Sequence, residues 1–255
     1  TMRKLLLLLF TVLFSFSVNA QYAVMWAVDL KDGAEDDYLK LEKFYSEIHK
    51  EALKQGLRSG WSVWKRTPQE GDEANQAEYV IFDNFSSKEQ MNANDAPSNA
   101  ELAQKVYKGK MSKRAIQKMM DSTGDYSNER RTYTLEVKDA TILGGGNVKP
   151  GDVATINLMT KKTDDFEKYE SEIWKPVAEK NILTGRLRQW ILVEVTDRSE
   201  NAWSEFTHFA WNLRGNLDVK GVETSGFKWD KLWEGIESSR DMQDANEFTC
   251  VLAVY

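Results

Sequence analysis

The chain has 255 residues, of which 41% are hydrophobic and 11% aromatic, and a formal net charge of -6. That apolar content excludes a disordered or low-complexity chain and suffices for one large core or two small ones. The acidic balance excludes a general nucleic-acid binder working through a basic face.

Arg3 and Lys4 precede an almost wholly apolar run from Leu5 to Val18, which ends in Val18-Asn19-Ala20. A positive start, an apolar middle and small residues at the end read as a secretory signal peptide over residues 1–20, cut between Ala20 and Gln21. The run is shorter than the roughly 20 residues a spanning helix needs, so no stable membrane insertion is expected after cleavage. The expected location is therefore outside the inner membrane, periplasmic or extracellular. Cys250 is the single cysteine, so no disulfide forms within the chain. It lies in the apolar run Phe248 to Tyr255 and reads as an inert buried side chain.

The first strand is predicted over Ala23 to Leu30, where residues are largely apolar or β-branched. Tyr38, Leu41, Tyr45, Ile48 and Ala52 then recur at spacings of three and four, which predicts an amphipathic helix. Two strands follow, Trp61 to Arg66 and Tyr79 to Phe85. Ser98 and Glu101 form a capping box ahead of Leu102 and Val106, and helical pattern continues to Met120. Lys105, Lys108, Lys110, Lys113, Arg114 and Lys118 give this region a basic run, read as a solvated helix face or a dock for an anionic partner. A strand over Thr132 to Val137 ends the first half. Gly144-Gly145-Gly146 and Pro150-Gly151 mark a flexible linker over residues 141–151. The second half repeats the order. It has a strand at Val153 to Thr160, a helix carrying Phe166, Tyr169, Ile173 and Val177, and strands at Leu187 to Val195 and Phe206 to Trp211. A helix with Trp229, Leu232, Trp233 and Ile236 precedes a last strand at Phe248 to Tyr255.

Short matches support the repetition. Ser46-Glu47-Ile48-His49-Lys50 recurs as Ser171-Glu172-Ile173-Trp174-Lys175, and Gly60 and Gly185 each follow ten residues later. Gly56 and Asn181 sit between them as candidate left-handed helix ends. Glu78-Tyr79-Val80-Ile81-Phe82 matches Glu205-Phe206-Thr207-His208-Phe209, and Asn128-Glu129 matches Asn246-Glu247. The fold class is accordingly α+β, with two tandem ferredoxin-like β-α-β-β-α-β repeats over 21–140 and 152–255, their sheets packed face to face. In this order and duplication the chain resembles the dimeric α/β-barrel superfamily, which includes antibiotic-biosynthesis monooxygenase-like, EthD-like and chlorite-dismutase-like proteins. The resemblance implies two sheets around a central pocket. It does not imply one chemistry, since the fold carries cofactor-free oxygenases, haem enzymes and proteins of no known activity.

Candidate chemistry is sparse. His49 faces away from the apolar stripe of its helix and reads as a surface residue. His208 stands mid-strand on the face of Phe206 and Ala210. It is the candidate general base or ligand contact, or else a core histidine bonded to a neighbour. Thr155 and Asn157 are polar where the aligned first-half residues, Met25 and Ala27, are apolar. A lopsided pocket is therefore expected, with His208, Asn157 and Thr155 on its polar side and Trp64, Trp190 and Trp211 among its walls. No metal-ligand spacing appears, and the acidic pairs at helix starts are explained by capping. No haem attachment motif or helix-borne histidine in an apolar pocket is present, so no cofactor is expected, haem included. Three readings stay open: a binder of a small apolar or aromatic ligand between the repeats, a cofactor-independent monooxygenase, or a structural protein with a filled barrel. A small-molecule ligand and self-assembly are the partners left open; nucleic acid is not among them.

Overall fold

In the computed structural model, described for residues 21–73 and 75–255, hydrogen bonding between strands runs in a closed circuit. The signal segment expected over 1–20 lies outside the described residues. The first half supplies β1 (Tyr22–Leu30), β2 (Gly60–Arg66), β3 (Tyr79–Phe85) and β4 (Ser127–Ala140). The second supplies β5 (Val153–Lys161), β6 (Leu187–Arg198), β7 (His208–Arg214), β8 (Arg240–Met242) and β9 (Asn246–Val254). Around the circuit the order is β4-β1-β3-β2-β9-β5-β7-β6 and back to β4, with every pairing antiparallel. This is a closed antiparallel barrel, and short β8 lies along the end of β5. The sequence leads one to expect two sheets merely stacked. Instead their edges are joined, by β2 to β9 (Trp61 opposite Val254) and by β4 to β6 (Leu135 opposite Val195). Joining both edges leaves no row of unpaired N–H and C=O groups, which is what closure gains over stacking.

The helices lie outside the barrel. α1 (Glu35–Lys54) begins with Glu35, Asp36 and Asp37, whose charges suit a helix N-terminus, and ends before left-handed Gly56. One face of α1 packs on the outward side of β2 and β3, where Tyr38 meets Trp61, Val63, Tyr79 and Ile81. Its other face, Leu41, Phe44, Ile48 and Ala52, packs on α3 (Asn99–Val106) and α4 (Lys113–Asp121). A single turn, α2 (Lys88–Met91), precedes them. Ser98 and Glu101 make the expected capping box of α3. In the second half, α5 (Phe166–Lys168), a π-helix (Tyr169–Trp174) and α6 (Lys175–Leu183) run on without a break. α7 (Phe227–Ser239) follows β7. No helix among the described residues is long and apolar enough to cross a membrane.

Strand alternation sorts the side chains. Ala23, Met25 and Ala27 of β1, Ala154, Ile156 and Leu158 of β5, and Phe209, Trp211 and Leu213 of β7 point into the barrel. Trp190, Leu192 and Ala210 point out, against Phe166 and Ala178. Across the middle of the barrel Trp64 and Trp211 meet edge to face at 4.6 Å, and Phe82 meets Trp211 at 5.3 Å. These rings fill the centre.

The linker expected to be loose is pinned. Arg188 on β6, only 5% exposed, donates to the carbonyls of Gly144 (3.0 Å), Gly146 (2.7 Å) and Asn147 (3.2 Å), and to Asp152 (2.7 Å). The glycines supply the positive φ that turns these carbonyls toward one guanidinium: Gly145 lies at 73° and Gly146 at 82°.

Candidate functional site

The barrel is open at one mouth. There β1, β4, β5, β7 and β9 surround a small cavity whose walls are mainly Met25, Ala27, Tyr133, Ile156, Leu158, Phe209 and Phe248. Both halves of the chain contribute. The Trp64–Trp211 pair lies one inward position deeper on β2 and β7 and closes the floor.

Two loops frame the mouth, and arginines hold both. Arg66, at the end of β2, donates to Ala77 O (3.0 Å), Asp72 (2.9 Å) and Asn246 (3.3 Å), which folds the β2–β3 loop over the opening. Arg198 donates to Trp203 O (2.6 Å) and Phe206 O (2.9 Å), and the Trp203 N–H donates to the Tyr133 hydroxyl (3.1 Å), which fixes the β6–β7 loop. Burial pushes the Tyr133 hydroxyl up from its ordinary pKa, so it stays protonated near neutrality. Arg131 lies between the loops. It is 1% exposed, bonded to Glu129 and to Asn75 O (2.8 Å), and stacked on Trp203 at 4.8 Å. Its Nε has no hydrogen-bond partner, although the residue lines the cavity. An unpaired buried donor costs about 1–3 kcal/mol, so a ligand acceptor placed there would be worth a comparable amount.

The residues picked from sequence are divided between two faces. Trp64 and Trp211 are in the barrel, as its floor. His208, Thr155, Asn157 and Trp190 are not on the cavity wall. β5 turns Ala154, Ile156 and Leu158 inward, so Thr155 and Asn157 face out, and Asn157 accepts from Asn212 (3.1 Å). β7 turns Phe209 and Trp211 inward, so His208 faces the helices and meets the Phe166 ring at 4.9 Å. Phe206 does reach the barrel, but it precedes β7, where the alternation does not apply. The expected lopsided pocket, with a polar second-half wall inside the barrel, is therefore corrected: those polar groups belong to the outer surface. The cavity residues that sequence reading missed are the arginines. Arg131 stands two residues before inward Tyr133, and Arg66 two residues after inward Trp64, and that period-two spacing is the signal that points to them.

His49 is also corrected. It is buried at 4% exposure, stacked on Trp61 at 4.6 Å, with Nδ1 2.7 Å from Arg58. Burial, and then the Arg58 charge, hold its pKa well below the ordinary value. Glu42, on the same helix, is raised to about 7 by burial, which Arg130 offsets only in part.

His208 is held by Thr207 Oγ1 at 2.9 Å from Nδ1, and Glu167 stands 3.5 Å from Nε2. Burial lowers its pKa, although Glu194 and Glu167 oppose the shift. Glu167, Glu194 and His208 are the one group among the described residues with donor atoms close enough to hold a metal. Among the described residues neither histidine is placed to ligate a haem in the cavity. The cavity wall has no histidine, His49 Nδ1 is taken by Arg58, and His208 Nε2 faces carboxylates rather than an apolar slot.

The fold defined here, a single-chain α/β barrel, is shared with solved structures. A provisionally assigned monooxygenase from Lactobacillus acidophilus is similar over 92% of this chain and 96% of its own, with TM-score 0.57 and 10% identity. Another from Fusobacterium nucleatum is similar over 92% and 94%, with TM-score 0.54 and 10% identity. An anthrone oxidase-like protein is similar over 93% and 94%, with TM-score 0.51 and 10% identity. At such identity each likeness concerns the fold alone. No family model matches the chain. No curated protein sequence matches it either.

Proposed function

We propose that the protein binds a small, flat, apolar or aromatic molecule in the barrel mouth, between the two halves, with a carbonyl or anionic oxygen of the ligand at Arg131. The observation that carries this reading is a mainly apolar cavity with Arg131 on its wall, the buried Nε of which has no hydrogen-bond partner. Specific pockets combine apolar walls with a few polar groups in this way. In the same reading the chain is two ferredoxin-like copies, 21–140 and 152–255, exported and starting at Gln21. A titration with 2-naphthoate, followed by tryptophan fluorescence, tests the binding. Saturable binding that weakens in Arg131→Lys, while naphthalene binding is unchanged, supports the role of Nε. Equal loss for both probes, or no saturable binding, rejects it.

A second reading, cofactor-independent monooxygenation of the bound aromatic, draws on the names of the three structural neighbours. Arg131 would then hold the substrate anion that reacts with dioxygen. Oxygen uptake on adding anthrone separates the two: a pure binder consumes none.

A further inference from the structure

On the outside of the barrel, far in sequence but adjacent in space, three donors converge. Glu194 on β6 is the direct cross-strand neighbour of His208 on β7, and Glu167 reaches them from α5, just before the π-helix. One oxygen of each carboxylate and a ring nitrogen of His208 all lie within 4.8 Å of one another. π-turns are uncommon and gather at functional sites, so their place here is informative.

The acidic pair alone would mean little. The second observation is His208 itself. It is 1% exposed, its Nδ1 is anchored on Thr207, and its Nε2 has no hydrogen-bond partner although it faces the glutamates. In the tautomer whose Nδ1–H donates to Thr207 Oγ1, Nε2 offers a lone pair to the cluster; in the other tautomer a metal displaces the Nε2 proton. The other histidine makes the contrast: His49 Nδ1 is occupied by Arg58, and among the described residues no metal-ligand cluster forms around it.

Lys138 and Lys161 also face the cluster. The Lys138 ammonium is 3.0 Å from Glu194, 4.0 Å from Glu167 and 3.9 Å from Glu136, and Lys161 is 3.9 Å from Glu167. Three carboxylates against two ammonium groups leave an excess negative charge when the imidazole is neutral. Lys138 competes with a cation for Glu194, and so sets the affinity.

We infer that Glu167, Glu194 and His208 form a site for one divalent transition-metal ion, with a coordination position left open toward solvent. One imidazole nitrogen and two carboxylate oxygens suit Zn²⁺, Co²⁺, Mn²⁺ or Fe²⁺. Tetrahedral bonds of about 2.0–2.2 Å need donors about 3.4 Å apart; Glu167 already stands 3.5 Å from His208 Nε2, and only the wider spacings, up to 4.8 Å, require the glutamates to shift. They are the members free to do so, at 32% and 34% side-chain exposure, while the imidazole stays fixed.

Adding Co²⁺ alone to untagged protein and recording its visible absorption tests this, with Zn²⁺ measured by competition against a chromophoric chelator. One equivalent of each metal should bind. His208→Ala and Glu167→Gln should each lose about tenfold or more in affinity, and Lys138→Met should gain severalfold. No uptake at millimolar metal overturns the inference, and so does uptake unchanged in both ligand variants. If His208→Ala does not fold, Glu167→Gln and Glu194→Gln decide, since both alter half-exposed side chains. Far-UV circular dichroism confirms that those variants are folded.

Discussion

Replacing Arg188 by Met should weaken the fold substantially. The guanidinium is buried, paired with Asp152 at 2.7 Å, and bonded to three backbone carbonyls within 3.2 Å. Removing one partner of a buried ion pair costs about 3–5 kcal/mol. Two features place the loss near the lower end. Gly146 and Asn147 are exposed, so water can replace their lost donor, and Asp152 keeps the Lys149 N–H at 3.0 Å and the Lys149 ammonium at 3.1 Å. A loss of about 3 kcal/mol corresponds to a Tm lower by about 6–12 °C at this chain length. The pH dependence should change too. Burial pushes the Asp152 carboxyl up, but the bonds from Lys149 and Arg188 outweigh it and leave its pKa below the ordinary value. A depressed folded-state pKa gives stability that is present above the unfolded value and is lost as pH falls through the folded one. Without Arg188 the folded-state pKa of Asp152 moves back toward the unfolded value, so this acid-dependent part of the stability should shrink. Scanning calorimetry and urea unfolding across the acid range measure both effects. A loss under about 1 kcal/mol would refute the reasoning, since it would mean the glycine loop holds itself.

Trp211→Ala removes the barrel floor and should cost about 3–5 kcal/mol in urea unfolding, with the denaturant slope unchanged. His49 titrates in the folded state well below its unfolded value, so stability should fall as pH drops below the ordinary histidine range. His49→Gln should flatten that fall. Glu42 works in the opposite direction. Its folded pKa near 7 means its contribution is present at low pH and is lost as pH rises through 7, so Glu42→Gln should be the more stable form above neutrality. Ala27→Phe should fill the cavity and abolish 2-naphthoate binding without lowering Tm by more than a few degrees.

Eight of the nine strands were legible because each announces itself through a strand-like run bounded by turn residues; short β8 (Arg240–Met242) was not. The closure of the barrel was not legible either, since nothing in β2 or β4 names β9 or β6 as the partner. The site was lost in a one-residue slip. Setting Thr155 beside Met25 uses an even offset, whereas inward Met25 and inward Ala154 or Ile156 differ by an odd one. A slip of one position flips every side chain to the other face. The helices mislead in a similar way. The shared Ser-Glu-Ile pentapeptide lies six residues before left-handed Gly56 but ten before left-handed Gly185, and Asn181 lies within α6 rather than ending it. The cluster of Glu167, Glu194 and His208 has no sequence spacing to find, because cross-strand pairing creates it. Arg188 was hidden for the same reason: a lone basic residue on a strand does not reveal which loop it will hold.

The proposed function depends on the barrel mouth as a binding site. A crystal structure of the protein grown with 2-naphthoate tests it directly. The ring should lie between Ala27, Leu158 and Phe209, with the carboxylate within hydrogen-bond distance of the Arg131 guanidinium. Ligand bound elsewhere, or a mouth that stays empty at saturating ligand, would contradict it.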